Sequence, residues 1–331
     1  MTAVLLLTGS SSLLSAGILT FDNIVPLSVL SAESHIVAAP ALGTPGDIND
    51  AAGPFRFPRG IGLDGTVALT ITKTTGTFLC SGAMIGSTAV LAAAHCFADN
   101  TGNNITTSVS VFAFPNGTTS TLTQTVLGSQ VHIPDQYTGT TINDYDIAVV
   151  RLPGSFGTGV NIYDTFGAGD TITTAPFTVV GFGGRGAGAT GNTLPSGQRR
   201  RGFNNFDAFL SPAVLISDFD NGLSANDTSC LIGAVCHVGL GNLEASTAPG
   251  DSGGPVFLNG KIVAVSSFGA RLTVGDIDGA LNSTFGEING FVSTRFHEQW
   301  LDSILAIPEP GTWFLSLAGL GALTALRRRT R

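Results

Sequence analysis

The chain has 331 residues, enough to bury a large core in one or two domains. Charged residues make up only 11%, the net charge is −8 with two lysines, and apart from two arginine clusters no basic patch suggests nucleic acid. Glycine occupies 44 positions, and short runs of Thr, Ser, Val and Phe alternate with turn residues, which argues against a mainly helical protein and predicts an all-β one.

Residues 1–38 are mostly apolar from Val4-Leu5-Leu6-Leu7 to about Val25. They read as an export signal and linker, atypical because no Lys or Arg occurs before Arg56. Ala39 to Gly53 is small, polar and rich in Pro and Gly, and is expected as linker. Strand patterning begins at Thr66, with Val67-Ala68-Leu69-Thr70-Ile71, a Thr74-Thr75-Gly76 turn, then Phe78 to Ile85 and Ala89 to Cys96. His95 follows a run of small residues. Residues 105–133 alternate Thr/Ser with Val, Phe and Leu, as half-buried strands do. Asn143-Asp144-Tyr145-Asp146 is a polar loop that runs into Ile147-Ala148-Val149-Val150, with Asp146 at the strand entrance and Asp144 expected to be solvated. Taken singly, His95 and Asp146 read as ordinary strand-end residues.

A second strand set opens at Phe177-Thr178-Val179-Val180-Gly181-Phe182-Gly183-Gly184. Arg185 to Gly202, with Arg199-Arg200-Arg201, is expected as an exposed loop. Asp218-Phe219-Asp220-Asn221-Gly222 is a turn; calcium is a minor reading, since the spacing does not match an EF-hand loop, so no metal ligand is assigned. Lys261 to Gly269 is a strand, and Gly275 to Gly290 a loop carrying Asp276, Asp278 and Glu287. Phe296, Trp300, Leu301, Ile304 and Leu305 recur at helical spacing, so a short terminal helix should pack on the body. The four cysteines, Cys80, Cys96, Cys230 and Cys236, suggest two disulfides in an oxidising compartment. Zinc is the weaker alternative, because no C-x2-C pair is present.

Chemistry concentrates at Ala248-Pro249-Gly250-Asp251-Ser252-Gly253-Gly254-Pro255. Glycines on both sides of a serine allow the sharp turn that exposes a hydroxyl, because glycine tolerates φ > 0. A bare backbone also lets the amides of Gly250 and Ser252 converge on an oxyanion. A glycine-rich turn between strands is the plain alternative.

Three separated segments then line up: Leu91-Ala92-Ala93-Ala94-His95-Cys96, Asp146-Ile147-Ala148-Val149-Val150-Arg151-Leu152 and Gly250-Asp251-Ser252-Gly253-Gly254-Pro255. In the order His, Asp, Ser they resemble the trypsin-like (chymotrypsin-fold) serine proteases, and the order separates them from subtilisins and α/β-hydrolases. His132-Ile133-Pro134-Asp135-Gln136-Tyr137, Val180-Gly181-Phe182-Gly183 and Ser267-Phe268-Gly269 are smaller echoes of the same family. The resemblance covers roughly residues 60–305 and implies two antiparallel six-stranded β-barrels, over 55–165 and 166–306, with the site in the cleft between them. It implies Ser252 as nucleophile, His95 as general base and Asp146 as the group that orients the ring, and it implies no cofactor. It further implies a Cys80–Cys96 bridge stapling the histidine loop, with Cys230 and Cys236 as a shortened form of another family bridge.

By the same resemblance Ser246 forms the floor of the primary pocket, and Ser267, Phe268 and Gly269 bind substrate backbone. A neutral floor suits apolar or aromatic side chains, while Asp276, Asp278 or Glu287 on the pocket loop could supply a negative charge. The sequence departs from the family at one of its cysteines, where Ala248 stands. The usual activation junction, a basic residue followed by Ile-Val-Gly-Gly, is not found, Arg59-Gly60-Ile61-Gly62 being a faint echo, so Asp251 lacks an evident partner. The expected activity is peptide-bond hydrolysis on protein or peptide substrates; the alternative is a catalytically silent surface-binding scaffold.

Residues 307–331 carry Pro308-Glu309-Pro310, an apolar stretch and Arg327-Arg328-Arg329-Thr330-Arg331. This tripartite tail resembles the PEP-CTERM sorting signal of Gram-negative bacteria, which implies an exosortase-type processing enzyme as partner. As a helix, Gly311–Leu326 would span roughly 24 Å at 1.5 Å per residue, slightly short of the ~30 Å hydrocarbon core, with the arginines at the cytoplasmic boundary. A permanent anchor is the alternative.

Overall fold

The computed structural model describes residues 36–56, 59–140 and 142–306. Two seven-stranded antiparallel sheets, each curled into a half-barrel, carry the body. Each contains one edge strand of only two residues, Val131–His132 in the first and Ala208–Phe209 in the second, so each exceeds the expected six strands by a short edge piece.

In the first sheet the long strands Thr66–Lys73 and Gly76–Gly86 pair as a hairpin, flanked by Thr106–Ala113 on one side and Ala89–Ala92 on the other. Alternation puts Val67, Leu69, Ile71, Val109 and Val111 on the inner face, where all are fully buried. The second sheet is centred on Pro255–Leu258, Lys261–Ala270 and Ile288–Ser293. The two halves meet in one apolar cluster, in which Leu91, Ile147 and Val149 of the first pack with Val180, Val265 and Phe268 of the second. That meeting line is where the candidate site sits.

The terminal helix forms at Glu298–Leu305. Leu301 is buried and Trp300, Ile304 and Leu305 pack on the shared cluster, as the spacing predicts. Phe296 departs from that expectation: it precedes the helix, is 43% exposed and meets the ring of Tyr145.

The segment before residue 55 differs most from expectation. Ile36–Ala38 is a buried strand, parallel to Arg185–Ala187 and antiparallel to Ala245–Ser246, within a third, four-stranded sheet. Residues 39–53, expected as linker, fold against the body, and Ile48 and Phe55 belong to the second core with Phe177, Phe206 and Phe291. The arginines expected in an exposed loop hold them there. Arg200 Nε donates to the Ile48 carbonyl at 3.0 Å, Arg201 Nε to Pro54 at 2.6 Å, and Arg185 bonds the Asn49 side chain. Arg185 and Arg200 are themselves buried, within the strands Arg185–Ala187 and Arg200–Asn204. The reason is that the folded segment presents the carbonyls of Ile48 and Pro54 and the side-chain oxygen of Asn49, and guanidinium donors satisfy them. Phe57, Pro58, residues 1–35 and the tail from 307 lie outside the described residues.

Candidate active site

Asp146 ends the loop before the strand Ala148–Arg151 and is fully buried. Its Oδ1 accepts the His95 backbone N–H at 2.8 Å and its Oδ2 lies 2.7 Å from His95 Nδ1. Ser267 Oγ donates to the same Oδ2. One carboxylate thus fixes both the backbone and the ring of the histidine, which sits in a short 3-10 turn, Ala94–Cys96. Ring N–H donation to Asp146 at Nδ1 leaves Nε2 as the ring's acceptor. Asp144, two residues earlier, is engaged elsewhere: its carboxylate takes the Ser211 hydroxyl and its carbonyl lies 2.7 Å from His297 Nε2.

Ser267 reaches Asp146 because of a bulge. The register of Lys261–Ala270 against Ile288–Ser293 shifts between Ser266 and Phe268, leaving Ser267 unpaired in the ladder. Bulges re-aim side chains in this way. Phe268 and Gly269 stay in register with Gly290 and Asn289.

The Ser252 turn is fastened to the strand that precedes the histidine loop. Ser81 N donates to the Ser252 carbonyl at 2.8 Å, and Ser81 Oγ donates to the Gly250 carbonyl at 2.7 Å. Ser81 Oγ also accepts the Phe182 amide at 3.0 Å, so this buried serine ties together both halves and the glycine turn. Two glycines in the turn are required by geometry. Gly253 has φ 77°, and a Cβ there would stand 2.6 Å from the Ser81 carbonyl oxygen and 2.7 Å from the Ala93 nitrogen. Gly250 has φ 109°. The turn carrying Ser252 therefore lies against Ala92-Ala93, two residues from His95.

Both cysteine pairs are disulfides, Cys80–Cys96 and Cys230–Cys236, and no cysteine is free to bind zinc. Cys80–Cys96 closes a separation of 16 residues around the histidine turn, a loop size worth about 3 kcal/mol in the chain-entropy model. Lys73 adds a further hold: its Nζ donates to the carbonyls of His95 and Ala98, both at 3.0 Å, and burial pushes its pKa down to about 8.

Ser246 is buried, on the short strand paired with Val37. Its Oγ lies 2.9 Å from Asn289 Oδ1, which also accepts from Thr247 N at 2.8 Å and from Thr247 Oγ1 at 2.7 Å. Because a backbone N–H only donates, Asn289 turns its oxygen to Thr247 and its Nδ2 away. The loop carboxylates brace the loop itself. Glu287 accepts the amides of Asn282, Ser283 and Thr284, with burial pushing it up to about 7. Asp278 accepts from Ala280 N and Asn282 Nδ2.

Asp251 is fully buried, and burial raises its carboxyl well above the usual range. Its Oδ1 accepts the Gly183 amide at 3.1 Å, while Oδ2 has no hydrogen-bond partner among the described residues. Gly181 makes room for it, since a Cβ there would fall 1.7 Å from Oδ1. Ile36 pairs with Arg185, two residues beyond Gly183, so the start of the buried N-terminal strand and the orphaned oxygen share one loop. The sequence at that start reads His35-Ile36-Val37-Ala38-Ala39. A basic residue, Ile-Val and two small residues thus precede and form this strand in the sequence. Ser81 and Asn289 carry no local sequence signal, since their roles are set by partners distant in sequence.

Among the described residues, Asp218, Asp220 and Asp227 bring carboxylate oxygens close enough to hold a metal ion. No helix among those residues is long and apolar enough to cross a membrane; the expected segment 311–326 and Pro308-Glu309-Pro310 lie outside them.

The trypsin family model matches residues 62–200, ending before Ser252, and the PEP-CTERM protein-sorting motif matches residues 306–329. No curated protein sequence matches significantly. Among solved structures, HL collagenase is similar at TM-score 0.51 and 17% identity, covering 74% of this chain and 95% of its own. A mutant of human heparin binding protein (CAP37) is similar at TM-score 0.50 and 18% identity, covering 78% and 97%. These likenesses show the chymotrypsin-type fold across both halves.

Proposed function

We propose that this chain, carrying a trypsin domain and a PEP-CTERM sorting motif, is an exported serine endopeptidase that works through an acyl-enzyme. The observation that carries the reading is the grip of Asp146 on both His95 N–H groups, beside a serine turn built from glycines that no other residue could replace. In this reading His95 Nε2 takes the Ser252 proton as the hydroxyl attacks the scissile carbonyl, then gives it to the leaving amine. Asp146 holds the tautomer and stabilises the imidazolium. The amides of Gly250 and Ser252 bind the oxyanion. Ser267, Phe268 and Gly269 lay substrate backbone along the bulged strand, and Ser246, Thr247 and Asn289 give the pocket a neutral polar floor, which favours uncharged side chains over Lys or Arg.

A fluorophosphonate probe tests this directly. The purified protein should become labelled at Ser252 and the Ser252→Ala variant should not. Labelling of both alike would overturn the assignment of Ser252, and labelling of neither after removal of residues 1–35 would replace the protease reading with that of a silent scaffold.

The tail motif directs export in Gram-negative bacteria to the envelope or surface. We further infer that it is a temporary membrane hold cut near Pro308-Glu309-Pro310. Only a few residues separate Leu305, where the terminal helix ends, from that motif, and proline disfavours helix on its N-terminal side, which keeps the junction extended for a processing enzyme. Mass spectrometry of mature protein from the native host should find a C-terminus near residue 310. A mature chain still ending in Arg331 in the inner membrane would identify a plain anchor.

A further inference from the structure

Away from the catalytic cleft, the strand Val214–Asp218 delivers a carboxylate into a buried acidic pocket. Asp218, Asp220 and Asp227 are 1%, 0% and 2% exposed, and one oxygen from each lies within 4.8 Å of the others. Two of the three are anchored by one oxygen to backbone: Asp218 Oδ2 accepts Ser229 N at 2.7 Å and Asp227 Oδ1 accepts Cys230 N at 2.8 Å. Asp220 differs. Neither of its carboxylate oxygens has a hydrogen-bond partner among the described residues, although the side chain is wholly buried and aimed at the other two.

The surroundings deepen the deficit of positive charge. Asp207 stands behind, accepting Asp218 N at Oδ2, and Glu244 accepts Asp220 N at 2.7 Å. His237 is the cationic partner here, 2.8 Å from Asp207 Oδ1, and that bond lifts it to about 9. An isolated buried carboxylate is destabilising unless it is paired or bound to a cation.

We propose that Asp218, Asp220 and Asp227 bind a divalent cation, calcium by their chemistry, and that the ion braces the loop that borders the substrate pocket. The donors are hard oxygens. Sulfur is locked in Cys230–Cys236 and the nearby imidazole is occupied by Asp207, which disfavours zinc. Calcium takes six to eight oxygens at about 2.4 Å, so oxygens on one shell spread to about 5 Å, a looser spacing than magnesium accepts.

The link to the loop is a set of bonds from residues between and beside the aspartates. Phe219 N donates to the Glu287 carbonyl at 3.0 Å, Gly286 N donates back to Phe219 at 2.8 Å, and the Phe219 and Phe285 rings lie 4.7 Å apart. Thr228 Oγ1 donates to Gly286 at 2.7 Å, and Asn226 Nδ2 to the Gly275 carbonyl. From there Ser283 Oγ reaches the Thr247 carbonyl at 3.0 Å, next to Ser246. The role at the pocket rests on the protease reading; the ion site does not.

The test therefore uses thermal unfolding of the full chain carrying Ser252→Ala, where self-digestion plays no part. After treatment with EDTA, calcium at about a hundred times its dissociation constant should raise Tm by about 5 °C or more, and magnesium at the same concentration should raise it less. Asp220→Asn, added to that background, should abolish the calcium-dependent rise while unfolding no earlier than its parent in EDTA, since neither carboxylate oxygen that it alters has a hydrogen-bond partner among the described residues. Asp227→Asn should weaken the response, which keeps the test open if the first variant folds poorly. No calcium response in the parent, or an equal response in parent and Asp220→Asn, would overturn the proposal.

Discussion

Replacing Ser252 by alanine is expected to lower peptide turnover by about 10⁶, comparable to loss of the nucleophile in a serine protease, while Tm stays within about a degree of the parent. The reasoning is that backbone bonds to Ser252 and its neighbours fix the turn. The Ser252 carbonyl accepts Ser81 N, and its neighbours Gly250 and Gly253 are locked by Ser81 Oγ and by the Ser266 carbonyl. Removing Oγ therefore leaves the turn, the disulfide and the Asp146–His95 pair in place. Steady-state kinetics on a soluble peptide, with circular dichroism in parallel, gives the answer. A variant that keeps more than about a hundredth of the activity would show that another group attacks the substrate, and the assignment would fail.

The second large effect is expected at Asp251. We predict that the active protein begins at Ile36, released by cleavage after His35, and that its new ammonium group pairs with the buried Oδ2. Burial raises Asp251 because its charge has no partner; a cation beside it would bring the carboxyl down and supply that partner. The gain is mechanical as well as electrostatic, because Asp251 lies between Gly250 and Ser252, whose amides would form the oxyanion hole. Asp251→Asn should then cost about 10²–10³ in kcat, the loss typical of one oxyanion donor, with a much smaller change in KM. N-terminal sequencing of active enzyme should read Ile-Val-Ala-Ala. Full activity in a chain that retains residues upstream of Ile36 would rule out the activation scheme.

What could be read from the sequence was what backbone geometry dictates locally. Gly253 and Gly250 stand where φ is positive, and such positions announce themselves as glycine around a serine. Asp146 was separable from Asp144 because it stands at the mouth of an apolar strand, and the structure puts the former on His95 and the latter on Ser211. The strand Ile36–Ala38 was not legible as part of the body. Its partners are Arg185–Ala187 and Ala245–Ser246, and three apolar residues ahead of a Pro- and Gly-rich stretch carry no periodicity. Arg199-Arg200-Arg201 shows a related limit: charge usually marks solvent, and here Arg199 pairs with Asp64 while Arg200 and Arg201 bond the carbonyls of Ile48 and Pro54, far away in sequence. Asn289 gave no sign either, since its role is set by Thr247 and Ser246 across the sheet.

The placement of Ile36–Ala38 also orders events in time. Its partners are synthesised about 150 and about 210 residues later, so the earliest part of the body is the last that can dock. A chain emerging from its amino end can close the Thr66–Gly86 hairpin early, but it cannot seat Ile36, Ile48 or Phe55 until the strand holding Ser246 has arrived. Such non-local pairing slows folding, so the strand holding Ser246 and the surroundings of Asp251 are completed together and late.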